Sequence, residues 1–186
     1  MQVIKAPEYP EKFDEPYIMS IFLGGSIDMG QAIDWQSVLT DRLQDLKGLI
    51  VFNPRRDDWD SSWEQSINNP KFKEQVEWEL SHLEAADVAA SVFDPKGPAP
   101  ITLMELGMRH KKEKMWYYQE QDVVVLCPYG YWRKGNVDIV CEKYELDQVS
   151  NMDDLEKYIR DKFTEVSNSI TQEDITYKEE EYSYYR

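Results

Sequence analysis

The sequence contains few of the side chains that build disulfide frameworks or metal sites. Its 186 residues include only two cysteines and two histidines. Cys127 and Cys141 form neither a disulfide pattern nor a metal-binding spacing, so we expect two small core residues in a reducing compartment. His82 and His110 are too few and too far apart to predict a zinc site. The sequence thus indicates neither a disulfide-rich secreted domain nor a zinc protein.

Long apolar runs and an excess of positive charge are also missing. No run approaches the roughly 20 apolar residues that cross a bilayer, and residues 1–20 lack the apolar core of a secretion signal. We therefore expect a cytoplasmic protein with no membrane partner. The net charge of −15 repels the phosphates of DNA and RNA, which disfavours polymeric nucleic acid as a partner. A small phosphorylated ligand is compatible with this net charge, because hydrogen-bond donors near the ligand can hold it.

The rest of the chain alternates between apolar segments and amphipathic ones, and its length fits one domain. Near-continuous apolar strands between helices predict a parallel sheet that is covered on both faces. Strands are predicted at residues 17–23, 49–52, 86–93 and 122–127 and around residues 148–150, and helices at residues 31–47, 71–84 and 152–165 and from Pro100 onward.

The two ends of the chain differ in composition from the predicted domain at residues 17–166. Residues 1–16 are charged and rich in proline, which predicts an extended lead-in. Residues 167–186 are acidic and rich in tyrosine. We expect this tail to be disordered in isolation, although its tyrosines could dock on a neighbouring subunit.

Three segments follow predicted strands, at the edge of a parallel sheet where ligands bind. The glycine turn after the first strand could hold an anion through backbone N–H groups and a hydroxyl, although many strand-to-helix turns contain two glycines. The arginines after the second strand could bind a ligand or face solvent. Acidic residues 57–60 favour a capped turn over a cation site. The candidate ligand-binding residues are Gly24, Gly25, Ser26, Asn53, Arg55, Arg56 and Asp94.

Two carboxylates are candidates for catalysis. Glu105 lies about one turn into a helix that is apolar on most of its circumference, where a charge is costly unless it is paired or used. It could form a salt bridge, or it could be a covalent nucleophile. Glu79 falls at the border of the buried face of its helix, whereas Glu77 points more nearly to solvent. Periodicity alone does not decide whether Glu79 is a solvated charge at the boundary of the buried face or a functional group.

Several motifs, in this order and spacing, resemble the nucleoside 2-deoxyribosyltransferase-like family, and in particular its branch with the Asn-Pro-Arg-Arg signature. The resemblance covers roughly residues 18–145. The motifs are Phe22-Leu-Gly-Gly-Ser-Ile27, Asn53-Pro-Arg-Arg56, Gln75-Val-Glu-Trp-Glu79, Ala86-Asp87, Met104-Glu-Leu-Gly107 and the Gly-Tyr-Trp-Arg-Lys-Gly-Asn run at residues 130–136.

The resemblance implies a doubly wound, flavodoxin-like sheet of about five strands with helices on both faces. It implies an N-glycosyl transferase or hydrolase of nucleotide metabolism that acts on a small nucleoside or nucleotide and needs no metal or organic cofactor. Glu105 matches the family's nucleophile. Glu79 matches the carboxylic residue that handles the departing base, which is Asp in the better-known members. We also expect a homo-oligomer, a dimer or larger.

Two departures from the family pattern concern the sugar end of the substrate. Ala99 stands where typical transferases carry a sugar-orienting acid and where related nucleotide N-glycosidases carry a phosphate-contacting Ser. Ser26-Ile27-Asp28 replaces an aromatic residue after the first strand. These departures leave three alternatives: a nucleoside transferase or hydrolase, a nucleoside 5′-monophosphate N-glycosidase, and a non-catalytic module that senses a nucleotide on the same fold.

Overall fold

The computed structural model describes residues 1–27, 34–109 and 121–185, and these form an α/β fold around one parallel sheet. The sheet has six strands in the order β1-β3-β2-β4-β5-β6. The strands are β1 (Gln2–Lys5), β2 (Met19–Gly25), β3 (Leu49–Asn53), β4 (Val88–Val92), β5 (Asp122–Leu126) and β6 (Asp147–Val149). The helices are α1 (Trp35–Arg42), α2 (Pro70–Ala85), α3 (Pro100–Arg109), α4 (Lys134–Tyr144), α5 (Met152–Ser169) and α6 (Gln172–Tyr182).

The predicted doubly wound, flavodoxin-like sheet is confirmed, with one strand more than expected. The additional strand is β1, which lies within the predicted extended lead-in and pairs in parallel with β3 at the edge of the sheet. Its four residues are too short for apolar periodicity to distinguish a strand from an extended segment. The interior strands β3 and β4 are buried at every residue, as expected of a parallel sheet with both faces covered.

Each face of the sheet has its own apolar core. One core joins the sheet to α1 and α5, and the other joins it to α2, α3 and α4 and to the end of α6. The side chains that anchor these helices are Leu39 and Leu43 near α1, Ile159 on α5, Trp78 on α2, Leu106 on α3, Val137 on α4 and Tyr182 on α6.

The winding of the chain creates one switch point in the sheet. From β2 the chain moves through α1 to β3 on one side, and then through α2 to β4 on the other side of β2. The carboxyl ends of β2 and β4 therefore flank the crevice where ligands bind in folds of this kind.

Gly24 and Gly25 lie inside β2, whereas the sequence predicted a turn after residue 23. They pair with Ser91 and Val92 of β4, so the ladder continues for two residues beyond the last large apolar side chain of β2. The helix predicted at residues 31–47 ends at Arg42, where the chain turns before entering β3. Residues 31–33 of that prediction lie outside the described residues. No helix in the described ranges is long and apolar enough to cross a membrane.

The prediction of a disordered tail was wrong, because α6 packs against the same face as α2. Tyr182 is 2% exposed, and its hydroxyl lies 2.9 Å from His82 Nε2. Lys178 forms an ion pair with Asp87, and Thr171 closes a capping box at the start of the helix. The acidic composition of the tail did not predict these contacts. One buried tyrosine and one ion pair hold α6 in place, whereas a larger apolar face holds the other helices.

Candidate functional site

Glu105 lies at the switch point of the sheet, against the backbone of β2. The residue is 7% exposed, and α3 packs on both β2 and β4. A Cβ atom at Gly24 would lie 3.5 Å from Glu105 Oε2 and 3.3 Å from the carbonyl oxygen of Ala90. A larger side chain at position 24 would take the space that the carboxylate uses. The glycine therefore gives Glu105 room at the carboxyl end of the strand.

The loop before α3, the helix that carries Glu105, is held by hydrogen bonds from its own helix and from a later segment. Ala99 adopts a left-handed backbone with φ of 41°, which is uncommon for a residue other than glycine. Its carbonyl oxygen accepts from Leu103 N at 3.1 Å, in the first turn of α3. The hydroxyl of Tyr131 and the indole N–H of Trp132 both donate to the carbonyl of Pro98, at 2.8 and 3.3 Å. The loop is thus held by the run at residues 130–136.

Tyr131 is a residue whose role the sequence did not reveal. It is 3% exposed, and its ring packs against Phe93 at the end of β4. The Gly-Tyr-Trp-Arg-Lys-Gly-Asn run marked the family branch, but nothing in its spacing connects it to the loop before Pro100. Only the fold shows that this run supports the helix of Glu105.

Gly25 and Ser26 join the ends of β2 and β4. A Cβ atom at Gly25 would lie 2.6 Å from both a ring carbon of Trp35 and the carbonyl oxygen of Val92. Ser26 Oγ accepts from Asp94 N at 3.1 Å, and Ser26 N donates to Val92 O at 3.0 Å. The N–H of Ser26 is therefore occupied, and it does not serve as the anion donor that the glycine turn suggested.

Glu79 is a half-buried carboxyl group whose environment favours its protonated form. Burial raises its pKa to about 7, and a hydrogen bond from Gln75 Nε2, at 2.9 Å from Glu79 Oε1, opposes this rise. The same Nε2 donates to the carbonyl oxygen of Pro54 at 2.7 Å. A carboxyl with a pKa near neutrality can both donate and accept a proton under working conditions.

Arg55 pairs with Asp34 and has two donors that bond none of the described residues. Its Nε lies 3.3 Å from Asp34 Oδ1 without hydrogen-bond geometry. Its Nε and Nη2 are buried, and neither has a hydrogen-bond partner among the described residues. Asn53, which is 2% exposed, accepts from the backbone N–H of Arg55 at 3.0 Å and so fixes the turn after β3. Asn53 thus shapes the loop that presents Arg55.

Arg56 and Asp94, also predicted as ligand-binding residues, are engaged in local structure. The Arg56 side chain is 3% exposed and bonds Asp58 through Nε and Nη2, at 2.6 and 3.1 Å, and Glu74 through Nη1 at 3.2 Å. Asp94 Oδ1 accepts from Lys96 N at 2.8 Å and closes its own loop. Arg56 therefore stabilises the loop after β3 through ion pairs with acidic residues.

The acidic cluster at residues 57–60 consists of ion pairs and caps. Asp57 pairs with Lys5 at 2.8 Å, Asp58 holds Arg56, and Asp60 accepts from Ser62 N at 2.9 Å. No group of three His, Cys, Asp or Glu side chains in the described part of the chain could hold a metal ion. The candidate groups are thus a buried carboxylate at the switch point, an acid with a pKa near neutrality that Gln75 links to the loop after β3, and an arginine on that loop with two donors that bond no described residue.

Comparisons with known proteins agree with this fold and show the family. A crystal structure of a conserved protein from Enterococcus faecalis V583 is similar, with a TM-score of 0.55 and 15% sequence identity over 78% of this chain and 99% of that chain. At that identity the likeness shows the fold alone. No curated protein matches the chain. The profile described as nucleoside 2-deoxyribosyltransferase like matches residues 18–131, more than half of the 186 residues. This match includes Glu79 and Glu105, and the chain belongs to the nucleoside 2-deoxyribosyltransferase-like family.

Proposed function

We propose that the protein cleaves the N-glycosidic bond of a (deoxy)nucleoside or nucleotide through a covalent glycosyl intermediate on Glu105. Family membership supports a role in nucleoside glycosyl transfer in general. The observation that carries the finer proposal is the burial of Glu105 at the switch point, with its carboxylate beside the bare backbone of Gly24. A carboxylate in a partly desolvated crevice is suited to attack an electron-poor carbon and to stabilise positive charge near it.

The proposed reaction has two displacements at the anomeric carbon. A carboxylate oxygen of Glu105 bonds to this carbon while the bond to the base nitrogen breaks, and the electron pair of that bond goes to the base. Water or a second base then attacks the same carbon, and the Glu105 carboxylate leaves. Two inversions give net retention, through transition states with oxocarbenium character. Capture by a base makes a transferase, and capture by water makes an N-glycosidase.

Glu79 is proposed as the proton donor to the departing base. Its pKa of about 7 leaves a large fraction protonated at neutral pH. The donated proton neutralises the base nitrogen as the glycosidic bond breaks, and the resulting carboxylate can take a proton from the attacking water in the second step. Glu79 and Glu105 thus have different environments and different roles, as pairs of catalytic carboxyls commonly do.

A second candidate substrate is a nucleoside 5′-monophosphate, and Arg55 favours it. The buried Nε and Nη2 of Arg55 have no hydrogen-bond partner among the described residues, and an arginine can bind phosphate through two N–H groups. Ala99 removes the acid that would repel a 5′-phosphate. Arg55 could hold such a phosphate even though the chain carries a net charge of −15.

The protein is also proposed to be a cytoplasmic homo-oligomer. Both cysteines are free and buried, which suits a reducing compartment. The helix that carries Glu105 exposes a row of apolar side chains, Ile101, Met104 and Met108, at 54, 51 and 38%. Such a row of exposed apolar side chains suits contact with a second copy of the chain. Light scattering on the purified protein tests this proposal by measuring the mass of the particle in solution.

The deciding experiment incubates the purified protein with deoxynucleosides, ribonucleosides and their 5′-monophosphates, with and without a second base, and measures free base and exchanged nucleoside. The Glu105→Gln protein is the matched control. We expect base release by the wild-type protein and a covalent adduct on a peptide that contains Glu105. Binding of a nucleotide without any base release would favour the sensing module instead.

A further inference from the structure

Gln75 connects the candidate acid to the loop that follows β3. Its side chain is buried on α2, with the residue 4% exposed. The amide nitrogen Nε2 lies 2.9 Å from Glu79 Oε1 and 2.7 Å from the carbonyl oxygen of Pro54. An amide nitrogen has two hydrogens, so both donors are used. One turn of helix therefore separates Glu79 from the residue that holds its carboxyl group.

The direction of the Gln75 amide follows from its partners. The carbonyl oxygen of Pro54 can only accept a hydrogen bond, so the amide nitrogen must face it. A flipped amide would place its oxygen against that carbonyl and against the Glu79 carboxyl. Pro54 thus fixes the orientation of Gln75, and Gln75 in turn presents an N–H to one particular oxygen of Glu79.

Packing alone does not explain a glutamine at this position. Gln75 Oε1 is buried and accepts no hydrogen bond from the described residues. An unsatisfied buried acceptor lowers stability, and a methionine would fill a similar volume without one. The unpaired Oε1 is therefore a cost that only the two Nε2 hydrogen bonds offset, one to the loop after β3 and one to Glu79.

We propose that Gln75 is a positioning residue that orients Glu79 as a directional proton donor. Because Glu79 Oε1 accepts from Gln75 Nε2, the proton of the neutral carboxyl resides on Oε2. The Oε2 hydroxyl is then the group that reaches the leaving base. This kinetic consequence rests on the proposed function, whereas the hydrogen bond and the site of protonation can be tested without turnover.

The electrostatic surroundings of Glu79 make Gln75 its main polar influence. In the described residues the pKa of Glu79 reflects burial, which raises it, and the Gln75 hydrogen bond, which lowers it. His82 is neutral at neutral pH because burial lowers its pKa to about 4. The other titratable groups of these elements are Lys71, Lys73, Glu74, Glu77, His82 and Glu84 on α2, Glu105 and Arg109 on α3, and Arg55, Arg56, Asp57, Asp58, Asp60 and Glu64 on the loop after β3.

The first test is carbon-detected NMR titration of the Glu79 carboxyl in the free protein. Gln75→Met should raise the pKa of Glu79 by about one unit, because the charged form loses its hydrogen bond. Glu77→Gln, on the exposed side of α2, should leave it unchanged. In the wild-type protein the Gln75 side-chain N–H resonances should shift with the same midpoint as Glu79. This midpoint should be absent in Glu79→Gln, and the comparison needs no folded Gln75 variant.

The second test is kinetic. On a natural base, Gln75→Met should lower kcat/KM at least roughly tenfold, the effect of one lost hydrogen bond to a charged or reacting group. On an activated leaving group that needs no proton, the rate should stay within about threefold. Equal losses on both substrates would mean that Gln75 only supports the fold.

The two proposals fail in different ways. An unmoved Glu79 pKa in Gln75→Met, or Gln75 resonances that do not titrate with Glu79, would overturn the positioning role even in an active enzyme. Absence of base release from every substrate would overturn the proposed function, while a shifted Glu79 pKa in Gln75→Met would still show that Gln75 controls this carboxyl.

Discussion

Replacing Glu79 with glutamine should stabilise the protein at high pH while it removes the proposed acid. Burial raises the pKa of Glu79 to about 7, from an ordinary value of 4.5 in the unfolded chain. Between these two values the folded state holds a proton that the unfolded state releases, so stability falls as the pH rises. A pKa shift of this size corresponds to about 3 kcal/mol of unfolding free energy. The folded protein loses this amount in full only above pH 7, where Glu79 is charged.

The assay is urea unfolding of the wild-type and Glu79→Gln proteins at pH 5 and at pH 8. The variant should be more stable than wild type by about 2–3 kcal/mol at pH 8 and by much less at pH 5. His82 titrates with the opposite sign, because its folded pKa of about 4 lies below its unfolded value of 6.5. It is present in both proteins, so its contribution cancels in the difference.

Glu77→Gln is the matched control, since the Glu77 side chain is 62% exposed and lies on the same helix. Its effect on stability should be small at both pH values. If Glu79→Gln had the same effect on stability at pH 5 and pH 8, the burial argument would be wrong, and Glu79 would be an ordinary solvated carboxylate.

Four further outcomes follow from the site and the fold. Glu105→Gln should lower base release by several orders of magnitude with the fold intact; near-normal turnover of a folded protein would remove the covalent mechanism. Arg55→Ala should lower the ratio of kcat/KM for a nucleotide over its nucleoside by roughly ten- to hundredfold, and a wild-type ratio at or below one would contradict the phosphate contact. Gly25→Ala should cost about 1–3 kcal/mol in urea unfolding, because its Cβ would meet backbone at 2.6 Å; an unchanged midpoint would refute this. Tyr182→Phe should cost about 1–2 kcal/mol by leaving His82 Nε2 without its partner, and no loss would mean that the hydroxyl contact is unimportant.

The parallel sheet could be predicted because its strands are apolar almost throughout. The predicted strand at residues 49–52 and the predicted helix at residues 71–84 differ from β3 and α2 by one residue at most at each end. Apolar periodicity works there because each segment buries a full face. It fails for β1, because these four residues form a strand only by pairing with β3. It also fails for α6, which is held by the contact between the Tyr182 hydroxyl and His82.

The candidate site could be predicted only in part, because sequence shows where a polar residue lies but not what it pairs with. The position of Glu105 in an apolar helix was a usable signal. Arg55 and Arg56 are adjacent residues of the same type. Within the described ranges, Arg55 has two donors without a hydrogen-bond partner, whereas Arg56 is held by Asp58 and Glu74. The environment of Glu79, from which its pKa follows, depends on contacts across α2 and the loop after β3.

The two glycines at the end of β2 also limit how this protein can be engineered. Position 25 has no room for any side chain, and a side chain at position 24 would contact the carboxylate of Glu105. Libraries that randomise this strand should therefore return mostly inactive or unfolded proteins. We expect substitutions to be tolerated better at Trp132, which is 58% exposed and donates a hydrogen bond to the loop that leads to Glu105. New specificities should come from exchanging the surrounding loops while Gly24 and Gly25 are kept unchanged.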